Sequence, residues 1–321
     1  MRLTRLRIKN WRNFKDAEVH LESRAFFVGP NASGKSNLLD VLRFLNDLTV
    51  DGGGIQKATS NRGGVGEIRS FAARSKPIIM IEVELGNDEE PAAWIYSLEF
   101  NASKDSGRPI VVREIVRRHG VAKPVLERPD RDDNADAARL SETAIEQVSA
   151  NKNFREIAAF FASIRYLHVI PQIIREPGRS SGHNDPFGGD LIERINATKP
   201  RQRDARLKRM EEALRIAVPQ LRNLELEIDK KGIPHLRAQY VHWRPQGAWQ
   251  RQDRFSDGTL RLLGLIWALQ ESGGPLLLEE PEMSLNAGVV ERLAPMISRA
   301  NLTLKAMCNS WPVTCAAISA F

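Results

Sequence analysis

Cysteine is scarce in this 321-residue chain: Cys308 and Cys315 are the two, both near its end. Two thiols build no disulfide framework, which excludes a small cross-linked secreted scaffold and points to a reducing cytoplasm. Long apolar runs are missing as well. None reaches the ~18 residues that suggest a membrane span. The opening stretch Met1–Asn10 alternates basic and apolar residues and does not build a signal peptide. With no span and no coupling helix legible, membrane transport is disfavoured. There is no internal repeat, and no heptad run long enough for an extended coiled coil. An acidic excess is lacking too. Forty-seven Lys and Arg against 40 Asp and Glu leave a formal charge of +7, spread along the chain. That permits contact with nucleic acid without establishing it.

What is present is a sizeable apolar fraction, 42%, enough for one large domain or two smaller ones. The most informative stretch is Gly29-Pro30-Asn31-Ala32-Ser33-Gly34-Lys35-Ser36. It fits G-x-x-x-x-G-K-[ST], the phosphate-binding loop. The glycines let the backbone bring its N–H groups against phosphate oxygens. Lys35 reaches the β/γ-phosphates, and the Ser36 hydroxyl sits where Mg²⁺ needs an oxygen ligand. Arg24 to Val28 reads as a buried strand entering the loop. Leu38, Val41, Leu42, Leu45 and Leu48 then recur at helical spacing, so a helix N-terminus faces the phosphates.

Elsewhere the periodicity changes several times. Leu6 and Ile8, then Ala17, Val19 and Leu21, alternate with polar residues as two strands joined through Asn10-Trp11-Arg12-Asn13-Phe14. Ile79 to Leu85, Trp94 to Phe100, Ile110 to Val116 and Val125–Leu126 predict an antiparallel meander. Asp130 to Ala137 reads as a solvated loop, Leu140 to Ser163 as helical, and Ile164 to Ile170 as a strand. Pro177 to Gly189 reads as a surface loop, and Arg201 to Val218 as a charged amphipathic helix. A hairpin is expected to turn at Lys230-Lys231-Gly232.

Leu276-Leu277-Leu278-Glu279-Glu280 is an apolar strand ending in two carboxylates. The far side of a nucleotide site needs such a pair: Glu279 for the Mg²⁺ shell and Glu280 to polarise the attacking water. Taken alone the pair also fits a strand end meeting solvent; the phosphate loop upstream favours the functional assignment. Phe255-Ser256-Asp257-Gly258-Thr259 precedes the apolar body Leu262, Leu263, Ile266, Trp267 and Leu269, so Ser256 or Asp257 can cap a helix.

These segments together resemble the SMC/RecF-like branch of ABC-type ATPases. The resemblance is strongest to the compact bacterial AAA-type predicted ATPases related to the overcoming-lysogenization-defect (OLD) group. It rests on Gly29 to Ser36 with Asn37, Phe255 to Thr259, Leu276 to Glu282 followed by Ser284-Leu285, and the opening Ile8 to Phe14. Residues 101–250 match only loosely. The resemblance implies an α/β P-loop NTPase head of ABC type, with a mixed central sheet, flanking helices and an antiparallel β lobe. Along the chain it implies a single head over 1–321. An N-terminal lobe would span 1–128, a small helical and loop insertion 129–220, and a C-terminal lobe 221–321.

It further implies an ATP- and Mg²⁺-dependent homodimer. Lys35, Ser36, Glu279 and Glu280 would act on the nucleotide of their own subunit. Ser256 and Gly258 would complete the partner's site, with Ser284-Leu285-Asn286 across the interface. Gln172 is the candidate Q-loop glutamine for the Mg²⁺ shell, and it fits a surface glutamine beside a loop equally well. Arg12 fits either a contact to phosphate or base or a solvent-facing side chain. Two departures stand out. Glu279 replaces the more usual Asp. Asn309 occupies the position of a γ-phosphate-sensing His, and an amide cannot become cationic or carry a proton as imidazole can. Slow turnover, or a C-terminus truncated or altered relative to the family, is therefore expected.

Functionally the expectation is an ATPase switch controlling DNA or a partner effector, such as a separate nuclease, in phage defence or genome maintenance. The alternative is an ATP-binding dimerisation scaffold with little hydrolysis. A substrate kinase is disfavoured by the Ser256–Thr259 motif. For DNA, two groups are candidates: the run Lys199, Arg201, Arg203, Arg206, Lys208 and Arg209, and the set Arg244, Arg251 and Arg254 with Trp243 and Trp249. Both also fit solvated or packed surface.

Overall fold

Period-two alternation builds the largest sheet. In a computed structural model of the chain, the strands are β1 (Arg2–Trp11), β2 (Phe14–His20), β3 (Arg24–Val28), β4 (Ile79–Gly86), β5 (Trp94–Ala102), β6 (Pro109–Arg118) and β7 (Leu126–Arg128). The structure describes residues 1–73, 77–176, 185–215, 217–241, 248–299 and 304–308. Six of these strands pair antiparallel in the order β2-β1-β4-β5-β6-β7, the meander that alternation predicts plus the opening hairpin. Ile79, Ile81, Val83 and Leu85 of β4 and Trp94, Tyr96, Leu98 and Phe100 of β5 are all buried, every second residue facing one side.

That face receives α1 (Lys35–Thr49), whose Phe44 stacks on Phe100 at 5.5 Å and meets Trp11 edge-on at 5.3 Å. Further along lie α2 (Ile55–Ser60), α3 (Val65–Ile68), α4 (Arg131–Ala135) and α5 (Arg155–Ala162). The opposite face of the sheet carries an ion-pair ladder, Arg5 of β1 to Glu82 and Glu84 of β4 at 2.7 Å each, which absorbs part of the basic excess.

The chain divides into two compact units, with the first covering Met1–Ile164 and the second beginning at Arg165; the division falls inside the 129–220 stretch. The second unit contains β8 (Arg165–Leu167), α6 (Pro171–Arg175), α7 (Leu191–Ala197), α8 (Pro200–Leu214), β9 (Leu221–Ile228), β10 (Pro234–Tyr240) and β11 (Ala248–Arg251). It continues with α9 (Asp257–Gln270), β12 (Leu276–Glu279) and α10 (Ala287–Arg299). The last described strand, β13 (Leu304–Cys308), has its first two residues in the first unit and the rest in the second. The expected hairpin is β9–β10, with Gly232 at φ 81° in its turn, and β11 adds a third strand that period alone did not reveal. Parallel pairing of β12 with β8 sets Leu277 beside Tyr166 and Leu278 beside Leu167.

Two expectations need correction. Asp130 to Ala137 is not a solvated loop. Asp130 accepts from the Asp133 backbone N–H at 2.8 Å and donates its own N–H back to the Asp133 carboxylate at 3.0 Å, a capping box that starts α4. Asp133 is buried because Arg128 donates to both of its oxygens at 2.9 Å, while Arg128 also reaches buried Glu114 at 3.3 Å. Leu140 to Ser163 is helical over α5, in a short 3₁₀ turn at Ala150–Asn153 and at the end of the 3₁₀ turn Ala137–Ser141, with turns between them.

This buried network generates a pH prediction. The hydrogen bond from Arg128, with help from the Asp130 N–H, holds Asp133 down at about 2 from its ordinary 3.8. A carboxyl lowered on folding stabilises the fold above its unfolded value and loses that contribution as pH falls through the folded one. Glu114 has the opposite sign, since burial pushes it up, so acid relieves rather than removes its contribution. Asp133→Asn should therefore lower unfolding stability by about 2 kcal/mol at neutral pH. Denaturant titrations should show the difference shrinking between pH 4 and pH 2.

Candidate functional site

The first unit supplies the loop between β3 and α1. Gly34 sits at φ 98°, a left-handed geometry that favours glycine, and a Cβ there would lie 2.4 Å from the Asn13 side-chain nitrogen. Asn13, from the β1–β2 turn, accepts a hydrogen bond from the Asn37 amide at 2.7 Å. The opening hairpin thus backs the phosphate loop directly, a role that the Ile8–Phe14 segment did not disclose by spacing.

No side chain caps α1, and its first turn holds no acidic residue. Its leading N–H groups and dipole are therefore available to an anion. Lys35 spans the loop, donating to the Gly29 carbonyl at 2.8 Å and the Pro30 carbonyl at 2.9 Å. Ser36 is exposed at the second helical position and Asn31 and Ala32 are exposed at the crest, with Ala32 at φ 64°. Ser33 closes the turn through its N–H to the Pro30 carbonyl at 3.3 Å. A cradle with a cation, open N–H groups and no carboxylate in the helix's first turn fits a polyphosphate. Arg12 is drawn onto Asp40 of α1 at 2.9 Å, where Arg62 also binds at 3.0 Å.

The second unit supplies the acidic strand end. Tyr166 of β8 and Glu279 of β12 fall on the same sheet face, because Tyr166 lies opposite Leu277, two residues before Glu279. The Tyr166 hydroxyl donates to the Glu279 carboxylate. Sequence reasoning missed this partner, since the two residues stand 113 positions apart. Glu280 turns the chain at φ 47°, its carbonyl accepting from the Met283 N–H at 3.1 Å. Arg261 of α9 is buried against this turn and donates to the Met283 sulfur at 3.2 Å. Burial pulls the Arg261 guanidinium below its usual value, and the charges of Asp257, Glu280 and Glu282 oppose that shift.

Ser256 is the N-cap of α9. Its hydroxyl oxygen accepts from the Thr259 N–H at 3.2 Å and pairs with the Thr259 hydroxyl at 2.8 Å. Gly258 allows a close approach: a Cβ there would lie 2.8 Å from the Ser284 carbonyl. Gln172 sits in α6, and its amide points to the Asp257 carboxylate at 3.5 Å, beside the Ser256 turn. Asn309 lies outside the described residues.

For Mg²⁺, the Ser36 hydroxyl and Glu279 carboxylate are hard oxygen donors of the right kind. Among the described residues no group of three or more His, Cys, Asp and Glu gathers to hold a metal. One or two protein oxygens with phosphate oxygens is the usual way Mg²⁺ is bound, and when bound it neutralises charge on the transferring phosphoryl group.

The basic segments are partly engaged. Arg206 lies over the Trp267 ring at 5.2 Å and Arg209 bonds Gln270 at 2.9 Å, fastening α8 to α9. Arg237 covers Trp249 at 4.6 Å, and Arg251 pairs with Glu227 at 2.7 Å. Lys199, Arg201 and Lys208 remain exposed, as does Arg254. Trp243 and Arg244 lie outside the described residues.

The family described as "AAA domain, putative AbiEii toxin, Type IV TA system" matches residues 24–305, from the strand before the phosphate loop to β13. The chain belongs to this AAA family. A DNA replication and repair protein RecF from Leifsonia xyli subsp. xyli is 33% identical over 87 residues, 26% of the chain. That alignment spans 23% of the RecF protein's own length.

Among solved structures, an SmcHead bound to the C-winged helix domain of ScpA is similar, with a TM-score of 0.57 and 14% identity. The likeness covers 97% of this chain and 90% of that one. The Smc head domain derived from Pyrococcus furiosus, bound to the C-terminal domain of ScpA, gives 0.54 and 12% over 96% and 90%. The fold is accordingly that of an SMC-type, ABC-like head, and the matched family is one of AAA domains. Among the described residues no helix is long and apolar enough to cross a membrane.

Lys35→Ala should reduce ATP binding at least a hundredfold in equilibrium titration while leaving the melting temperature within a few degrees, because Lys35 spans only its own loop. Unchanged affinity would remove the loop from the nucleotide site.

Proposed function

We propose that ATP closes two copies of this chain into a sandwich dimer and that hydrolysis reopens it, making the protein a switch for DNA or a partner effector. Each copy contributes Gly29, Pro30, Asn31, Ala32, Ser33, Gly34, Lys35, Ser36 and Asn37 to its own nucleotide. Glu279 and Ser36 hold Mg²⁺, with Gln172 a candidate third ligand, and Glu280 orients and deprotonates the attacking water. Ser256 and Gly258 meet the partner's γ-phosphate.

The observation that carries this reading is the contact between Gly258 and Ser284 within one unit. The turn after the acidic pair and the turn offered to the partner lie so close that a Cβ on Gly258 would sit 2.8 Å from the Ser284 carbonyl and 3.4 Å from the Leu285 side chain. A change at Glu280 on hydrolysis is thereby felt at Ser256 without any long relay. Buried Arg261, running from α9 to Met283, ties the same two turns.

Exposed Lys199, Arg201 and Lys208 support backbone contact with DNA, and the local likeness to a RecF protein supports the same direction. The toxin system in the family's description, with the resemblance to the OLD group, supports a separate effector in defence. A scaffold with little turnover is favoured by one observation, Asn309 in place of the sensing His.

Glu280→Gln tests the switch. It keeps the carboxylate's size but cannot accept a proton, so it should bind ATP as the parent does and accumulate as an ATP-bound dimer, with phosphate release lowered at least a hundredfold. Full turnover in this variant would remove Glu280 as the base. Ser256→Arg should block closure; a variant that still dimerises with ATP would end the composite-site reading.

A further inference from the structure

We propose that Arg175 is a positioning residue for the Ser256 turn, fixing it in the geometry that meets a second copy's nucleotide. The proposal rests on the composite-site reading above. Arg175 ends α6, a single turn that begins at Pro171 and packs against α9 and the 3₁₀ turn Gln252–Arg254. One terminal nitrogen of its guanidinium donates to the Phe255 carbonyl at 2.9 Å and to Asp257 Oδ1 at 2.5 Å. These two acceptors flank Ser256 on either side. A single rigid group therefore brackets the serine, and the planar guanidinium loses little freedom in doing so.

Ser256 itself is committed downstream: its oxygen caps α9 through Thr259. That cap fixes Ser256 relative to the helix, while on the entering side the Phe255 N–H closes the 3₁₀ turn on the Gln252 carbonyl at 3.1 Å. Arg175 adds a second hold on that side through the Phe255 carbonyl. Gln172, three residues earlier on the same turn, points to the other oxygen of Asp257 at 3.5 Å, so α6 addresses both carboxylate oxygens. The Arg175 and Asp257 side chains are 28% and 40% exposed. Pairs that exposed add little to global stability, so the effect of Arg175 is expected in placement of the turn rather than in folding.

The experiment compares full-length wild type, Arg175→Ala, Arg175→Lys and Ser256→Arg by light-scattering mass against protein concentration at saturating Mg-ATP. Melting temperature and nucleotide binding to the single chain are read on the same samples. Arg175→Ala should raise the protein concentration for half-dimerisation roughly tenfold, within the range of ordinary coupling effects. Its melting temperature and single-chain nucleotide affinity should stay with wild type. Arg175→Lys, which keeps the charge and one donor direction, should recover part of the loss. Unaltered dimerisation of Arg175→Ala, beside a Ser256→Arg that no longer dimerises, would overturn the proposal and leave the composite site standing. Early melting or weakened single-chain binding in Arg175→Ala would overturn it in favour of a merely structural role. A wild type that stays monomeric with ATP would defeat the composite-site reading and this proposal with it.

Discussion

An uncapped helix N-terminus is the constraint on which the first unit depends. α1 begins without a side-chain cap or an early carboxylate, leaving peptide N–H groups for an anion. Such an end is costly unless its surroundings hold it in place. Here the surroundings do so from two sides. Phe44 anchors the helix body on Trp11 and Phe100, and Asn13 braces the loop at Asn37 beside Gly34. The six-stranded sheet thus acts as a backing plate, and the β1–β2 hairpin carries its stiffness to the loop crest.

The second unit handles the same problem in the opposite way. α9 is capped by Ser256, its first turn carries Asp257, and Arg175 fastens the approach. A helix start that receives its own charge and cap is rigid, which suits a surface meant to meet something outside the chain. A helix start left open suits one meant to be filled. Glu279 with Tyr166 and Glu280 at a left-handed corner occupy the same unit as the capped turn. The family match over 24–305 spans both arrangements.

The phosphate loop, the helix after it, the capped turn and the acidic strand end were all legible in the sequence because each is a local pattern. A glycine at a left-handed position, a serine before an apolar helix and a leucine run before two glutamates need no distant partner to be recognised. What stayed hidden depends on pairing across the chain. Asp130 to Ala137 reads as loop because it is polar and short of large apolar residues, and its Asp133 is buried because Arg128 meets it from an adjacent strand end. Tyr166 has no meaning for Glu279 until β8 and β12 lie parallel, and Arg175 has none for Ser256 until α6 folds onto α9. The basic segments were open in the same way: in sequence Arg206, Arg209 and Arg251 fit either nucleic acid or packed surface, and the fold engages them with Trp267, Gln270 and Glu227.

The proposed switch requires that nucleotide drive association of two such heads. The most direct measurement is the solution mass of the wild-type chain by light scattering, with and without Mg-ATP, with phosphate release followed in the same sample. A nucleotide-driven switch is a monomer that doubles its mass on adding Mg-ATP and returns to monomer as phosphate is released. A mass that stays monomeric at saturating Mg-ATP, with nucleotide demonstrably bound, would contradict it.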